Sequence, residues 1–305
     1  KENNFLGKNI LLDTNLRVTD EVIKGKFSVI NPKWNYTDKL LKTSIESSTT
    51  DRMANYGYET GKTGFMIGAG WEQYSDVYFS PELSTFYEKL DTNQTASQKM
   101  KDQEGEYFDI AFGYKLDLDK RNQRYQTTDG YRSRFSQNIP MISDDYAFLN
   151  SYDYTTFNQF GDMVTRFAFL ARTINSLNGE DVRISKRLYI PTKRLRGFES
   201  GRIGPTDGGD YIGGNHTAVI NASTTLPDFG ANLEKVDFQI FIDAANVWGV
   251  DYDSSLDNST IRSSTGLSVD WYTPIGPLNF SFAQPLSKAS SDKTETFRFN
   301  IGTTF

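Results

Sequence analysis

The sequence contains no cysteine, a single histidine and no long apolar run. Without cysteine the chain can form neither disulfide bonds nor thiolate metal sites. The longest purely apolar stretches, such as Phe167 to Ala171, have about five residues, whereas a membrane-spanning helix needs about 20. Spanning helices are therefore excluded, and a closed β-barrel is the other structure that pairs every backbone polar group inside a bilayer.

The average polarity of the chain does not argue against a barrel. The mean hydropathy is −0.55, but lipid-facing and lumen-facing residues alternate in barrel strands, which lowers the average. Aromatic residues make up 14% of the chain, a content typical of the aromatic girdles at the two membrane–water interfaces. A carbohydrate-binding sandwich would also be rich in aromatics. The net charge of −6 gives no reason to expect nucleic acid as a partner.

Apolar and polar residues alternate with a period of two along the whole chain, which indicates β-strands. In the clearest stretch Phe108, Ile110 and Phe112 share one face, while Asp109 lies on the other. Several such stretches exceed the ~9–11 residues that a tilted strand needs to cross a bilayer, and this length favours a barrel over a soluble sandwich. The side chains expected to face lipid are Phe108, Ile110, Phe112, Phe167, Phe169, Phe238 and Ile240.

The alternation predicts an all-β fold, a transmembrane antiparallel β-barrel of sixteen strands that forms one domain over residues 1–305. An even number of strands places both chain ends in the periplasm. The expected strand centres are residues 11, 27, 42, 67, 84, 112, 135, 152, 169, 188, 197, 221, 240, 269, 281 and 300. Periplasmic turns are expected at 128–130 and 161–162, and external loops at 92–105, 176–182, 201–215 and 249–261.

Three segments go beyond a generic barrel: residues 194–205 (RLRGFESGRIGP), residues 241–248 (FIDAANVW) and the C-terminal run 266–305 with its WYTPIGPL and FNIGTTF stretches. Together and in this order they resemble the barrel of the BamA family of outer-membrane β-barrel assembly factors. Leu195–Phe198 is similar to the (V/I/L)RG(F/Y) motif of that family's sixth external loop. Phe241–Trp248 is similar to its F-x-D-x-G-x-V-W strand, with an alanine where glycine is usual.

The loop motif has a physical interpretation of its own. Gly197 tolerates backbone geometry that other residues avoid, so the chain can fold back into the lumen, where the Arg196 guanidinium needs a carboxylate partner. The resemblance implies that the partner is Asp243, and that Leu195, Arg196, Gly197, Phe198 and Asp243 form a loop latch. A second family tie would fall on Ser223, which is not acidic here. The alternative is that Arg196 is one of many luminal charges.

The resemblance also implies a lateral seam between the first and last strands, at which a client strand could add to an open edge. The segment Asn4–Gly7 resembles the start of the family's first barrel strand. Gly302 lies in the last strand, where glycine weakens the ladder, although it could equally fit the taper of the barrel rim. The residues expected to line the seam are Lys8, Asn9, Ile10, Leu11, Leu12, Asp13, Asn300, Ile301, Gly302 and Phe305.

The implied function is insertion and folding of β-barrel proteins in the bacterial outer membrane, in contact with lipids that include lipopolysaccharide. Unfolded outer-membrane proteins would be the clients, and accessory lipoproteins would bind a POTRA region absent from this chain. A two-partner secretion transporter and an autotransporter assembly factor of the same superfamily remain alternatives, and a plain porin is a more distant one. No enzyme activity is expected, because His216 has no nucleophile pattern around it. No cofactor is implied, and no metal is expected because the acidic loop residues lack a complete ligand pattern.

Overall fold

The computed structural model describes residues 2–5, 7–227, 235–273 and 276–301. This part of the chain contains seventeen strands and two four-residue helices, Met53–Tyr56 (α1) and Gln98–Lys101 (α2). None of the helices in these ranges is long and apolar enough to cross a membrane. The strands are Glu2–Phe5 (β1), Ile10–Val18 (β2), Val22–Asn31 (β3), Leu40–Arg52 (β4), Tyr58–Tyr74 (β5), Val77–Thr92 (β6), Gly105–Asp119 (β7), Gly130–Ile142 (β8), Ala147–Phe160 (β9), Met163–Ser176 (β10), Thr206–Asp207 (β11), Asp210–Tyr211 (β12), His216–Thr225 (β13), Val236–Trp248 (β14), Arg262–Thr273 (β15), Gly276–Ser287 (β16) and Phe297–Ile301 (β17).

Fifteen of these strands form one sheet in which each strand lies next to the one that follows it, while β11 and β12 form a separate small hairpin. Every neighbouring pair is antiparallel, including β10 with β13 across the long connection between them. Strands β2–β10 and β13–β16 have 9 to 17 residues. They are long enough for the ~9–11 residues that a bilayer crossing requires.

The two faces of the sheet differ as the alternation predicts. Phe108, Phe112, Phe167, Phe238 and Ile240 are exposed on the outer face. The other two expected lipid-facing residues, Ile110 and Phe169, are half-buried and alternate with them along the same strands. On the opposite face the carboxylates of Asp109 and Asp243 bind arginines of one internal loop. The sheet therefore separates an apolar exterior from a polar interior.

Two expected strands, centred at residues 188 and 197, are not strands in the structure. Residues 177–215 form one long connection between β10 and β13, which contains the 3-10 turns Ile184–Lys186 and Thr192–Arg194 and the β11–β12 hairpin. The prediction was wrong because Pro191 removes a ladder donor and Gly197 adopts a left-handed φ of 86°. Apolar residues in this segment pack inside the barrel instead of alternating across a sheet.

The N-terminal end also differs from the prediction. Lys8 and Asn9 lie in a turn, and the edge strand of the described sheet is β1, whose Glu2 and Phe5 pair with Leu12 and Ile10 of β2. Gly7 has a φ of 68° in this turn, so it allows the chain to reverse. The described sheet thus has fifteen strands, because β1 was not foreseen and the two expected at 188 and 197 are loop.

The assignment of faces predicts unequal effects for the same substitution at two adjacent residues of β14. Ile240 is 44% exposed on the outer face, whereas Gln239 points inward and donates a hydrogen bond of 2.7 Å to Asp270. Ile240→Arg is expected to lower the free energy of unfolding in lipid vesicles by about 2–4 kcal/mol, because it places a cation in hydrocarbon. Gln239→Arg can pair with Asp270 and is expected to be nearly neutral. Equal losses in urea unfolding would contradict this orientation.

Candidate functional site: the luminal loop and its anchors

The connection 177–215, called the luminal loop, forms hydrogen bonds to strands β6, β7, β9, β14, β15 and β17 of the sheet. Because these strands are far apart in the strand order, their polar faces must surround the loop, which places it inside a barrel. The contacts to strands are Ser185 with Glu88 on β6, Arg183 with Asp109 on β7, Arg194 with Asp153 on β9, Arg196 with Asp243 on β14 and Ser264 on β15, and Arg298 on β17 with loop carbonyl groups.

Arg196 and Asp243 form a bidentate ion pair. Arg196 Nε donates to Asp243 Oδ2 and Nη2 donates to Oδ1, both at 2.7 Å. The backbone N–H of Arg196 also donates to Oδ2, at 3.2 Å. The Asp243 side chain is completely buried and that of Arg196 is 15% exposed. A carboxylate buried to this extent needs several donors to remain charged, and the loop supplies three of them from one residue.

The wall of the barrel shapes the site around this pair. The Arg196 guanidinium lies 3.4 Å above the ring centre of Phe241, which shares a strand face with Asp243 because the two residues are two apart on β14. Asn221 lies opposite Asp243 on β13 and donates to Oδ1 at 2.8 Å. Ser223 pairs with Phe241 instead. The neighbouring strand therefore supports the pair through an amide at residue 221 rather than through residue 223.

Gly197 allows the loop to approach the wall closely. Its φ of 86° is rarely adopted by residues with a side chain. A Cβ atom at this position would also lie 3.2 Å from Ala283 Cβ and 3.3 Å from Ser264 Cβ. Ser264 Oγ donates to the carbonyl oxygen of Arg196 at 2.6 Å. Glycine is thus required here for both backbone conformation and space.

The two apolar residues of the motif hold the loop by burial. Leu195 and Phe198 are almost completely buried. They belong to a small apolar cluster inside the barrel whose members are Leu170, Ile190, Leu195, Phe198, Ile203, Val219, Ala245 and Val247. Burial of one large apolar side chain stabilises by about 1.5–3 kcal/mol. The motif therefore combines a buried ion pair with apolar anchors on either side of it.

A second anchor lies on the opposite wall. Lys186 Nζ contacts Asp109 Oδ1 at 2.9 Å and Asp145 Oδ1 at 2.7 Å. Arg183 contacts Asp109 at 2.8 Å and lies 3.8 Å above the ring of Tyr107. Burial raises the pKa of the Asp145 carboxyl group, but Lys186 and Arg183 outweigh this effect and hold that pKa below its usual range. This cluster stays ion-paired at neutral pH. The loop is therefore anchored to two separate parts of the wall, one at Asp243 and one at Asp109 and Asp145.

The expected seam residues fall into three groups. Lys8 and Asn9 lie in the β1–β2 turn. The next four residues, Ile10, Leu11, Leu12 and Asp13, lie in β2, where Ile10 and Leu12 pair with β1. Asn300 and Ile301 lie in β17. Gly302 and Phe305 lie outside the described residues. The latch residues are thus brought together, whereas the described seam residues are divided among the β1–β2 turn, β2 and β17.

A polar chamber of about 260 Å³ lies beneath the latch. Arg196, Arg298 and Asn300 line it together with Asp237 and Asp270 of the wall. Latch and last strand therefore face a common space. The His216 ring lies beside the Trp248 ring, tilted by 38° with 5.6 Å between ring centres. In the described ranges no group of three or more acidic or histidine side chains is placed to hold a metal ion.

Sequence reasoning missed Asn221, Phe241, Ser264 and Arg298 as parts of this site. Phe241 could have been found from its spacing of two from Asp243. The other three depend on the register between strands, for which the sequence carries no local signal.

Comparisons with known proteins give related proteins with the same architecture. The chain is 26% identical over 270 residues to the outer membrane protein assembly factor BamA of Neorickettsia risticii, which covers 86% of this chain and 36% of that protein. It is 34% identical over 139 residues to BamA of Neisseria meningitidis, covering 36% of this chain and 17% of the relative. The matched parts of this chain thus span only 36% and 17% of the length of these two curated relatives.

A solved structure shows the fold directly. The crystal structure of BamA from Haemophilus ducreyi lacking POTRA domains 1–3 superimposes with a TM-score of 0.87 at 22% identity. The match covers 97% of this chain and 65% of that one. The sequence model of the Omp85 superfamily domain matches residues 4–305. The chain therefore belongs to the Omp85 superfamily and has the fold of an outer-membrane β-barrel.

Proposed function

We propose that this barrel inserts and folds other β-barrel proteins in the bacterial outer membrane; its BamA relatives are named outer membrane protein assembly factors. The observation that carries the proposal is the position of the luminal loop. It occupies the interior and is anchored to two parts of the wall. A client is then better accommodated at an edge of the sheet than in the lumen.

The proposed working edge lies between the N-terminal strands and β17. An open strand edge presents unpaired N–H and C=O groups, and these can template a client strand regardless of its side chains. Such addition makes and breaks no covalent bond, so the proposed activity is not enzymatic and uses no cofactor. The free energy comes from hydrogen bonding and burial in the client as it folds.

The proposed partners follow from this activity. Unfolded outer-membrane proteins are the clients, and membrane lipids, including lipopolysaccharide, surround the apolar outer face. Accessory lipoproteins would act through a POTRA region that lies outside residues 1–305. A two-partner secretion transporter is the alternative, and in that case the client would pass through the lumen after release of the loop.

The full-length protein reconstituted in lipid vesicles tests the proposal. A urea-unfolded outer-membrane β-barrel serves as the client, and its folding is followed by protection from protease. We expect the protein to accelerate client folding at least about tenfold, equivalent to lowering the barrier by about 1.4 kcal/mol. Folding no faster than in protein-free vesicles, together with entry of unfolded polypeptide into the vesicle interior, would contradict insertion and indicate a transporter.

A further inference from the structure

The last strand of the sheet carries a buried arginine that binds the luminal loop. Arg298 lies on β17 between Phe297 and Phe299, whose side chains are exposed on the outer face, and it is itself 9% exposed inside the barrel. Its guanidinium donates hydrogen bonds to the carbonyl oxygens of Thr192 and Phe198. It also donates to the carbonyl oxygen of Leu195 at 3.4 Å. Three carbonyl groups of the loop thus converge on one side chain of the terminal strand.

The backbone joins the same two segments. Phe198 forms an antiparallel bridge with Thr294, just before β17 begins. The N–H of Glu295 donates to the carbonyl oxygen of Gly197 at 3.2 Å, and the N–H of Glu199 donates to that of Lys293 at 3.0 Å. The loop motif therefore adds a short piece of β-pairing to the segment that leads into the last strand.

The described part of the terminal strand pairs with β16. In the described residues β17 pairs with β16 from Leu278–Ile301 to Phe282–Phe297, a much shorter register than that of the long interior strands. Hydrogen bonds from a charged donor are roughly twice as strong as those between neutral groups, so the bonds from Arg298 add substantially to the pairing of β17. They also supply buried carbonyl groups of the loop with a donor that the loop itself lacks.

We infer that Arg298 couples the seating of the luminal loop to the pairing of the terminal strand, and so acts as a positioning residue of the proposed seam. If the loop leaves the lumen, Arg298 loses three acceptors and β17 loses its inner support. If β17 moves, the loop carbonyls lose their donor. Thermodynamic coupling of this kind is reciprocal. The inference builds on the proposed insertion activity, because it explains how a luminal loop would control an edge in the wall.

Hydrogen exchange of the full-length protein in lipid nanodiscs tests the coupling without any client. Arg298→Gln removes the charged donor, and it is expected to accelerate amide exchange about tenfold or more in both 192–199 and 297–301. Arg132→Gln is the matched control, because Arg132 is also luminal but binds Asp117 on the wall. The control is expected to leave exchange in both segments unchanged.

A second variant probes the coupling from the other end and leaves Arg298 intact. Arg196→Ala frees the loop at the latch, and it is expected to accelerate exchange in 297–301, which Arg196 does not contact in the described structure. Unchanged exchange of 297–301 in Arg196→Ala, or of 192–199 in Arg298→Gln, would overturn the inference. Coupled exchange without client folding would reject only the insertion activity, and client folding without coupled exchange would reject only the role of Arg298.

Discussion

Replacing Arg196 by alanine is expected to release the luminal loop from the barrel wall. Asp243 is completely buried, and the substitution would leave its carboxylate with the donor Asn221 and the loop backbone. Removing one partner of a buried ion pair costs about 3–5 kcal/mol, which is two to four powers of ten in the equilibrium between seated and released loop. The expected result is rapid cleavage of residues 177–215 by added protease, under conditions in which the wild-type loop is resistant.

The loop offers a matched control in Arg202. Arg202 pairs with Glu199 at 3.1 Å, but both side chains are more than a third exposed, and exposed pairs contribute about 0–1 kcal/mol. Arg202→Ala is therefore expected to leave protease resistance nearly unchanged. The double variant Arg196→Ala/Asp243→Ala should lose less than the sum of the two single variants, since it leaves no unpaired buried charge. Equal cleavage of the wild type and Arg196→Ala would show that apolar burial and the second anchor at Lys186 and Arg183 hold the loop without the latch.

Closing the seam covalently is expected to abolish client assembly. Single cysteines are scanned through residues 2–13, which include β1 and the predicted seam residues of β2, against a cysteine at Asn300. Directly opposed strand residues have Cβ atoms about 4.5–5.5 Å apart, close to the spacing that a disulfide requires. The scan is therefore expected to contain at least one pair that cross-links on oxidation. If a client strand must add at this edge, the cross-linked protein has no free edge to offer, and reduction should restore folding.

An interior strand pair supplies the control for this experiment. Ser136 and Ser151 lie directly opposite each other on β8 and β9, so cysteines at both positions would lock strands that are already paired. Client folding is expected to proceed normally in this variant under oxidising conditions. Normal folding by a quantitatively cross-linked seam would refute lateral addition and favour the secretion transporter. A scan in which no position cross-links would show that these two edges do not meet.

The luminal loop is held to the wall by two separate anchors. The Arg196–Asp243 pair fixes the loop to β14, whereas Lys186 and Arg183 fix it to β7 and the β8–β9 turn. Arg196 and Arg298 both line the chamber beneath the latch.

The alternation of side chains along the strands determined the fold class and the two faces of the wall. Phe108, Phe112 and Ile240 face outward, because a residue two positions away on a strand must share its face. The pairing of the loop motif at 195–198 with Asp243 was also predictable. A buried arginine needs a carboxylate partner, and the family resemblance points to Asp243. The alternation is a property of short segments, which a sequence records directly, whereas the pairing of Arg196 with Asp243 was implied by the resemblance.

Tertiary structure decided the rest. Residues near 188 and 197 have apolar spacing compatible with a strand, yet they pack inside the lumen because the surrounding wall supplies their partners. The roles of Asn221 and Arg298 depend on the register of β13 with β14 and on the path of a loop about a hundred residues earlier in the chain. In the described sheet, the N-terminal edge strand is β1 rather than the segment Lys8–Asp13, and this depends on the turn around Gly7. Contacts between distant segments follow from how the whole sheet closes around the loop, and no local pattern of residues specifies them.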